Sequence, residues 1–283
     1  MTHRHCSVAL IFAVLPALLL SRGVVRFGPA EEPRTGILGA FSEEIDRIEG
    51  MLTDPQDQTV MGMRFLTGKL NGRPVVVATS GVGKVNAAMV ATLVIERFTP
   101  AEIIFTGIAG AIHPDLKPGD LVIGEKAAQH DLGNLTAEGF ELRGMRNPVD
   151  WDRNPVYLEA DARLLALAES AAGQLEFPKL RIGNDERLPR VVRGIVVTGD
   201  VFISSPAKKE ELRKSMNASA VDMEGAAVAQ ICRQFKVPCL VIRGISDSAD
   251  ANARQQAGVY LGVAVRNSTQ LVAEIARRLA ASR

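Results

Sequence analysis

The sequence predicts an α/β fold: a single-domain three-layer α/β/α sandwich with a central mixed β-sheet. Three observations carry this expectation. Short apolar runs rich in Val and Ile alternate with longer stretches of helical period, and strands apolar on both faces need helices on both faces. Several of these runs end at a glycine with a polar residue beyond it, as in Gly199-Asp200 and Gly244-Ile245-Ser246-Asp247; in such sheets ligands collect outside the carboxyl ends of strands. The 283 residues are 47% hydrophobic, enough for one large core, and no second set of elements suggests another.

Residues 1–30 are set apart. Met1 to His5 is short and basic, and Ser7 to Ser21 is uncharged and mostly apolar. This is the pattern of a secretory signal, too short for a comfortable transmembrane span. Residues 1–30 are therefore expected to be a signal peptide or N-terminal anchor with a spacer, and residues 31–283 the domain. Export to the periplasm or envelope follows, with membrane contact only through an uncleaved leader. A mis-called start would instead make the protein cytoplasmic.

The elements follow in order. Gly36 to Phe41 reads as a buried strand, Ser42 as an N-cap and Glu43 onward as a helix. Met63 to Leu70 and Pro74 to Thr79 read as a hairpin about Asn71-Gly72. Ser80 to Lys84 is a glycine-rich turn into a helix over Val85 to Phe98. Glu102 to Phe105 is a buried strand expected to end in a glycine-rich turn, Thr106 to Ala111. A strand over Leu121 to Gly124 precedes an irregular stretch, Gln129 to Asn154. Ala160 to Leu175 has a helical period, and Arg181 to Arg190 is a polar insertion. Gly194 to Thr198 is a strand, Pro206 to Met216 a helix, and Ala218 to Val221 a short strand leading into a helix at Asp222. Val237 to Arg243 is a buried strand, and Val259 to Ala280 the last helix.

Composition excludes several functions. A net charge of +1, one Trp and two Tyr offer neither a basic footprint nor stacking platforms for nucleic acid. Cys232 and Cys239 read as buried thiols. There is no HExxH or CxxC spacing, so no metal or other cofactor is expected. Ser80 to Lys84 lacks the P-loop register, and no serine nucleophile elbow occurs.

The remaining candidates are mostly carboxylates. Glu44, Gly107, Asp200, Phe202, Asp222, Glu224 and Asp247 fall at predicted strand ends and would share one rim. Val221 to Ala229 sets Asp222, Met223 and Glu224 at the mouth of an otherwise small, apolar helix. Asp222 also fits a plainer role, favouring the positive end of the helix dipole. Glu44, Glu224 and Asp247 together suit general acid–base work. An ionised Glu224 can accept from two sugar hydroxyls. Phe202 and Met223 could sandwich a flat base and a sugar face. That set describes N-glycoside cleavage better than hydride or phosphoryl transfer.

Six ordered motifs carry a resemblance: Gly36 to Glu44, Ser80 to Val85, Thr106 to Gly110, Thr198 to Phe202, Val221 to Glu224 and Arg243 to Asp247. The chain resembles the purine nucleoside phosphorylase/nucleosidase superfamily over roughly Gly36 to Leu279. Within it, the chain is most similar to the 5′-methylthioadenosine/S-adenosylhomocysteine nucleosidases. The resemblance implies hydrolysis of the N-glycosidic bond of such adenine nucleosides. It makes Glu44 the base acting on water, Asp247 the group that protonates the purine, and Arg243 the residue that orients the water or Glu44. It places Phe202 and Ile203 at the adenine, and Met223 and Glu224 at the ribose. Ile108, Ala109, Gly110 and Ser246 would complete the substrate site. It also implies a homodimer with Val82 near the subunit contact.

Phosphorylases of this kind have Arg two residues before the first glycine of the Thr106 motif and Ser directly after it. Here those places hold Phe105 and Ile108, which cannot ligate phosphate, so water is the expected nucleophile. The nucleosidases usually keep that Ser. Phe41, Ser42 and Asp222 also depart from their commoner Met, acidic residue and Glu. Alternatives with the same architecture are a related purine nucleosidase or phosphorylase acting on another nucleoside, and an exported nucleoside-binding protein.

Overall fold

Successive residues of one strand serve two different cores. In β1 (Thr35–Gly39), Ile37 joins a layer with Ile45, Leu164 and Leu271, whereas Leu38 joins one with Val90, Val94 and Val228. Side chains alternate across a strand, so a strand apolar at every position must be covered on both faces. The computed structural model describes residues 32–182 and 185–282; the expected leader lies outside them. From Pro33 onward the chain forms one compact unit.

The elements after β1 run α1 (Ser42–Glu49), β2 (Leu52–Val60), β3 (Met63–Leu70), β4 (Arg73–Thr79), α2 (Lys84–Phe98), β5 (Glu102–Ala111) and β6 (Leu121–Gln129). Next come β7 (Gly133–Thr136), β8 (Gly139–Leu142), β9 (Tyr157–Glu159), α3 (Ala162–Ala172), β10 (Leu180–Ile182), β11 (Asp185–Arg187) and β12 (Val191–Thr198). The chain finishes with α4 (Pro206–Met216), β13 (Ala218–Asp222), α5 (Gly225–Phe235), β14 (Cys239–Asp247) and α6 (Ala253–Ala281). The main sheet has the order β13-β12-β6-β14-β5-β1-β4-β3-β2, with β9 on β6. It is mixed: β1 is parallel to β4 and β5, while β14 is antiparallel to β6. Helices α1, α3 and α6 supply one core layer, and α2 and α5 the other.

One further pairing positions the site. β13 lies antiparallel to β5 as well as parallel to β12, so β5, β14, β6, β12 and β13 close into a ring. In that ring Gly110 is the partner of both Val221 and Asp247, and Gly107 of Arg243. Motifs more than a hundred residues apart thus meet at one register.

Several local expectations are corrected. Thr106 to Ala111 is no turn; it continues β5, which carries the site along its length. The helix expected to open at Asp222 starts at Gly225, and Asp222 ends β13. Phe41, not Ser42, occupies the N-cap of α1, and the Ser42 hydroxyl faces Glu43 instead. The stretch 129–154 contains the β7–β8 hairpin, and α6 starts at Ala253. β2 escaped notice because it is exposed and polar, an edge strand without an apolar period. The polar insertion forms the β10–β11 hairpin, and Arg187 ties it to the fully buried Asp120. The Asn71-Gly72 hairpin turn is present, with φ of 50° and 85° at its two residues.

Candidate active site

Glu44 comes first because its surroundings are the most constrained. It sits in the first turn of α1, and its side chain turns back into the protein, 1% exposed. One carboxylate oxygen accepts from the backbone N–H groups of Ala40 and Phe41, at 2.6 and 3.1 Å. The other accepts from Ile108 N at 2.9 Å, across from β5. That bond fixes α1 against the middle of the sheet. A Cβ at Gly107 would stand 2.9 Å from Glu44 Oε1, so glycine is needed for the carboxylate to lie there. Burial raises the Glu44 pKa above the usual carboxylate value, against the opposing charge of Arg243 and the three N–H bonds.

Asp247 ends β14, next to Gly110 of β5. Its Oδ1 accepts from Ala249 N at 2.8 Å, and its Oδ2 lies 2.8 Å from Ser246 Oγ. A Cβ on Gly110 would meet Oδ1 at 2.9 Å. Burial raises this pKa also. The glycine-rich stretch in β5 is therefore the floor on which two carboxylates rest.

Glu224 occupies the N-cap position of α5 but caps nothing with its side chain. Its Oε1 accepts instead from Gly83 N at 2.9 Å, linking α5 to the start of α2. Burial and the neighbouring Asp222 push its pKa up to about 7. Asp222 takes the structural role. Its Oδ2 binds Arg243 Nε at 2.7 Å and accepts from Gly225 N at 3.1 Å, while Oδ1 faces the Thr198 hydroxyl. Thr198 Oγ1 in turn accepts from Ala226 N at 2.8 Å. Asp222 is not in the first turn of α5; from the end of β13 it accepts from the backbone N–H groups of Glu224 and Gly225 at the helix start and pairs with Arg243.

Arg243 makes its hydrogen bonds to Asp222 and to the carbonyls of Phe105 and Ile242. Its guanidinium carbon lies 4.2 Å from the Phe105 ring centroid. No hydrogen bond joins it to Glu44 among the described residues; it acts there by charge. Its Nη2 is buried without a hydrogen-bond partner among those residues.

Asp222, Glu224 and Asp247 border one pocket with a cavity volume of about 70 Å³; Glu44 lies behind it, bonded to the backbone of the lining residues Phe41 and Ile108. Ile108, Ala109, Gly110, Phe202, Ile203, Met223, Glu224, Ser246 and Asp247 all line it. Phe41, Val82, Val201 and Phe202 form an exposed apolar rim. Larger grooves lie elsewhere, one between α5 and β9, but neither Glu224 nor Asp247 lines them. Asp200, expected on the rim, instead accepts from Lys84 N at 2.8 Å and stands beside the Lys84–Asp131 ion pair, closing the start of α2. Sequence reasoning missed Thr198 and the Gly83 N–H. The first had a signal, a hydroxyl at a strand end; a backbone donor has none. Cys232 and Cys239 are buried free thiols. No cluster of His, Cys, Asp and Glu able to hold a metal ion occurs among the described residues.

Similarity to known proteins agrees with this geometry. The model of the phosphorylase superfamily matches residues 34–282. The 5′-methylthioadenosine/S-adenosylhomocysteine nucleosidase of Psychromonas ingrahamii is 36% identical over 247 residues, covering 87% of this chain and 99% of that protein. The crystal structure of the same kind of nucleosidase from Neisseria meningitidis, in complex with methylthio-immucillin-A, is 34% identical with a TM-score of 0.75, covering 87% of this chain and 99% of that one. Futalosine hydrolase of Helicobacter pylori is 32% identical with a TM-score of 0.73, covering 86% and 97%.

Proposed function

The chain belongs to the phosphorylase superfamily, and from that premise we propose that it is an N-ribosyl hydrolase of the 5′-methylthioadenosine/S-adenosylhomocysteine type. It releases adenine and a 5-substituted ribose. The observation that carries this reading is the meeting of two buried carboxyl groups, Glu224 and Asp247, on one pocket with an apolar rim, while a third, Glu44, accepts from the backbone N–H groups of the lining residues Phe41 and Ile108.

Each has a separate task. Glu44, held by three N–H bonds and with a raised pKa, is suited to take a proton from water near neutral pH. Asp247, whose pKa burial also raises, stands on the pocket as the group that shares a proton with the purine N7 and so improves the leaving group. Glu224 accepts from the ribose hydroxyls, and its charge favours the oxocarbenium-like transition state when ionised. Phe202 stacks on the base, and Met223 packs on the sugar. Arg243, braced by Asp222, holds a positive charge behind Glu44. Phe105 and Ile108 supply no polar side chain for a phosphate oxyanion, which favours water as nucleophile.

Incubation with methylthioadenosine and with S-adenosylhomocysteine, with and without inorganic phosphate, tests the reading. Adenine is released at the same rate in both conditions; a requirement for phosphate overturns it.

Two further proposals accompany this one. The protein acts as a homodimer, supported by the exposed Val82, Val85 and Met89 at and along α2 beside the pocket rim. It is exported, supported by the basic start and apolar run of residues 1–21; the N-terminal sequence of the mature protein tests this.

A further inference from the structure

The position of Arg254 bears on which 5′ substituent the site prefers. Arg254 lies in the first turn of α6, which follows the short loop after Asp247 at the end of β14. Its guanidinium carbon sits 5.6 Å from the centroid of the Phe202 ring, and Phe202 lines the pocket. The side chain is exposed and has no hydrogen bond or ion pair among the described residues. The neighbouring carboxylate, Asp250, accepts from Asn252 N at 2.8 Å instead. Lys209, the cation nearest the Asp247 turn from α4, donates to Ser248 O at 2.7 Å. The other cations close to the pocket are also engaged: Arg243 by Asp222 and Lys84 by Asp131. Arg254 is thus an unpaired positive charge at the pocket mouth, steadied by the face of an aromatic ring.

The rest of a bound nucleoside is already accounted for. Asp247 faces the base, Glu224 the ribose hydroxyls and Glu44 the attacking water. The 5′ substituent is left to emerge over the exposed rim of Phe41, Val82, Val201 and Phe202. Apolar residues there suit a thioether. A guanidinium beyond them suits a planar anion that it can meet with paired N–H donors. The first helical turns of α6 also leave room for a long tail. Ala257 and Gly258 are small and reach the surface, and nothing lies within 4 Å of a Cβ built on Gly258.

We propose that Arg254 is a specificity-determining residue that recognises a carboxylate at the end of the nucleoside's 5′ substituent. This rests on the function proposed above and names the substrate class within it: long thioethers ending in a carboxylate, as in S-adenosylhomocysteine, ahead of the uncharged methylthio group. An aryl carboxylate tail, as in futalosine, offers the same chemistry from another source.

The test compares wild type with Arg254→Met, which keeps the stem and removes the charge. The substrates are S-adenosylhomocysteine, its carboxyl methyl ester, methylthioadenosine and futalosine. For S-adenosylhomocysteine the substitution raises KM by about three- to tenfold, the scale of one exposed charge-assisted contact. KM for the ester and for methylthioadenosine stays within about twofold, and Arg254→Lys recovers part of the loss. A parallel rise for futalosine, if wild type cleaves it, extends recognition to aryl carboxylates; no rise confines it to the amino-acid tail. An equal change for S-adenosylhomocysteine, its ester and methylthioadenosine overturns the proposal, because Arg254 then acts only by supporting Phe202. No change for S-adenosylhomocysteine overturns it as well. In both cases wild-type turnover leaves the parent function standing. Failure of wild type to cleave any of the nucleosides removes that function and this inference together.

Discussion

Asp222 Oδ2 lies 2.7 Å from Arg243 Nε, and both side chains are 1% exposed. Asp222 lines the pocket and Arg243 stands behind it, and the pair sets the charge that Glu44 and Glu224 experience. Asp222 raises the Glu224 pKa, and Arg243 opposes the raising of both glutamates. One buried pair thereby serves both the stability of the ring of strands and the protonation of the site.

Removing one partner leaves a buried charge unpaired. Asp222→Ala is expected to destabilise the protein by about 3–5 kcal/mol. The double variant Asp222→Ala, Arg243→Met recovers part of that loss, because no lone charge remains. Denaturant midpoints of wild type, single and double variants measure both effects. A double variant no more stable than Asp222→Ala contradicts the account.

Glu44→Gln keeps the shape of the side chain but not its basicity. Turnover falls by about a thousandfold or more, while adenine binding stays within a few-fold of wild type. Steady-state rates beside calorimetric binding of adenine separate the two. Normal turnover removes Glu44 from its role.

Glu224 connects stability to pH. Its folded pKa is about 7 against an ordinary 4.5, so the folded protein holds this proton where the unfolded chain has released it. Below about pH 4.5 both states are protonated and the contribution is fully present. Stability therefore falls as pH rises between about 4.5 and 7, by at most about 3–4 kcal/mol from this group. Glu44 and Asp247 shift in the same direction, so the contribution is read as a difference. Unfolding at about pH 5 and about pH 8 shows a steeper loss in wild type than in Glu224→Gln. Equal slopes contradict the shift.

Gly107→Ala tests the floor of the site. Its methyl group would stand 2.9 Å from Glu44 Oε1 and 3.1 Å from Arg243 Nη1, both buried. Glu44 must move, and kcat/KM falls by about a hundredfold, the scale of a small misplacement of a catalytic group. Gly262→Ala, with open space around it, serves as the control and retains its rate. Matching kinetics for the two variants argue against the steric account.

The proposed dimer is checked by placing charge on the outer face of α2. Val85 is 79% exposed and Met89 46%. Val85→Glu with Met89→Glu converts a dimer to a monomer in sedimentation velocity. Wild type sedimenting as a monomer contradicts the assembly itself.

Much of this molecule is legible along the chain. The Val- and Ile-rich runs require helices on both faces, and the Asn71-Gly72 turn sets the β3–β4 hairpin. The motifs around Glu44, Glu224 and Asp247 point to acid–base chemistry, because charged residues beside apolar runs need a partner or a use. The sequence could not separate carboxylates of equal burial. Glu102 is 2% exposed and Glu44 1%. Each oxygen of Glu102 meets a guanidinium, from Arg73 or Arg163, whereas Glu44 meets only backbone N–H groups. Nor could it show that Thr106 to Ala111 is a strand, since glycines that read as a turn are there to admit the carboxylates of Glu44 and Asp247. Composition and periodicity are local, and they determined the class of fold and the kind of chemistry. Which acid is paired and which is left available depends on strand register: Gly110 meets Val221 and Asp247 only once β13 closes onto β5, and that closure belongs to the tertiary structure.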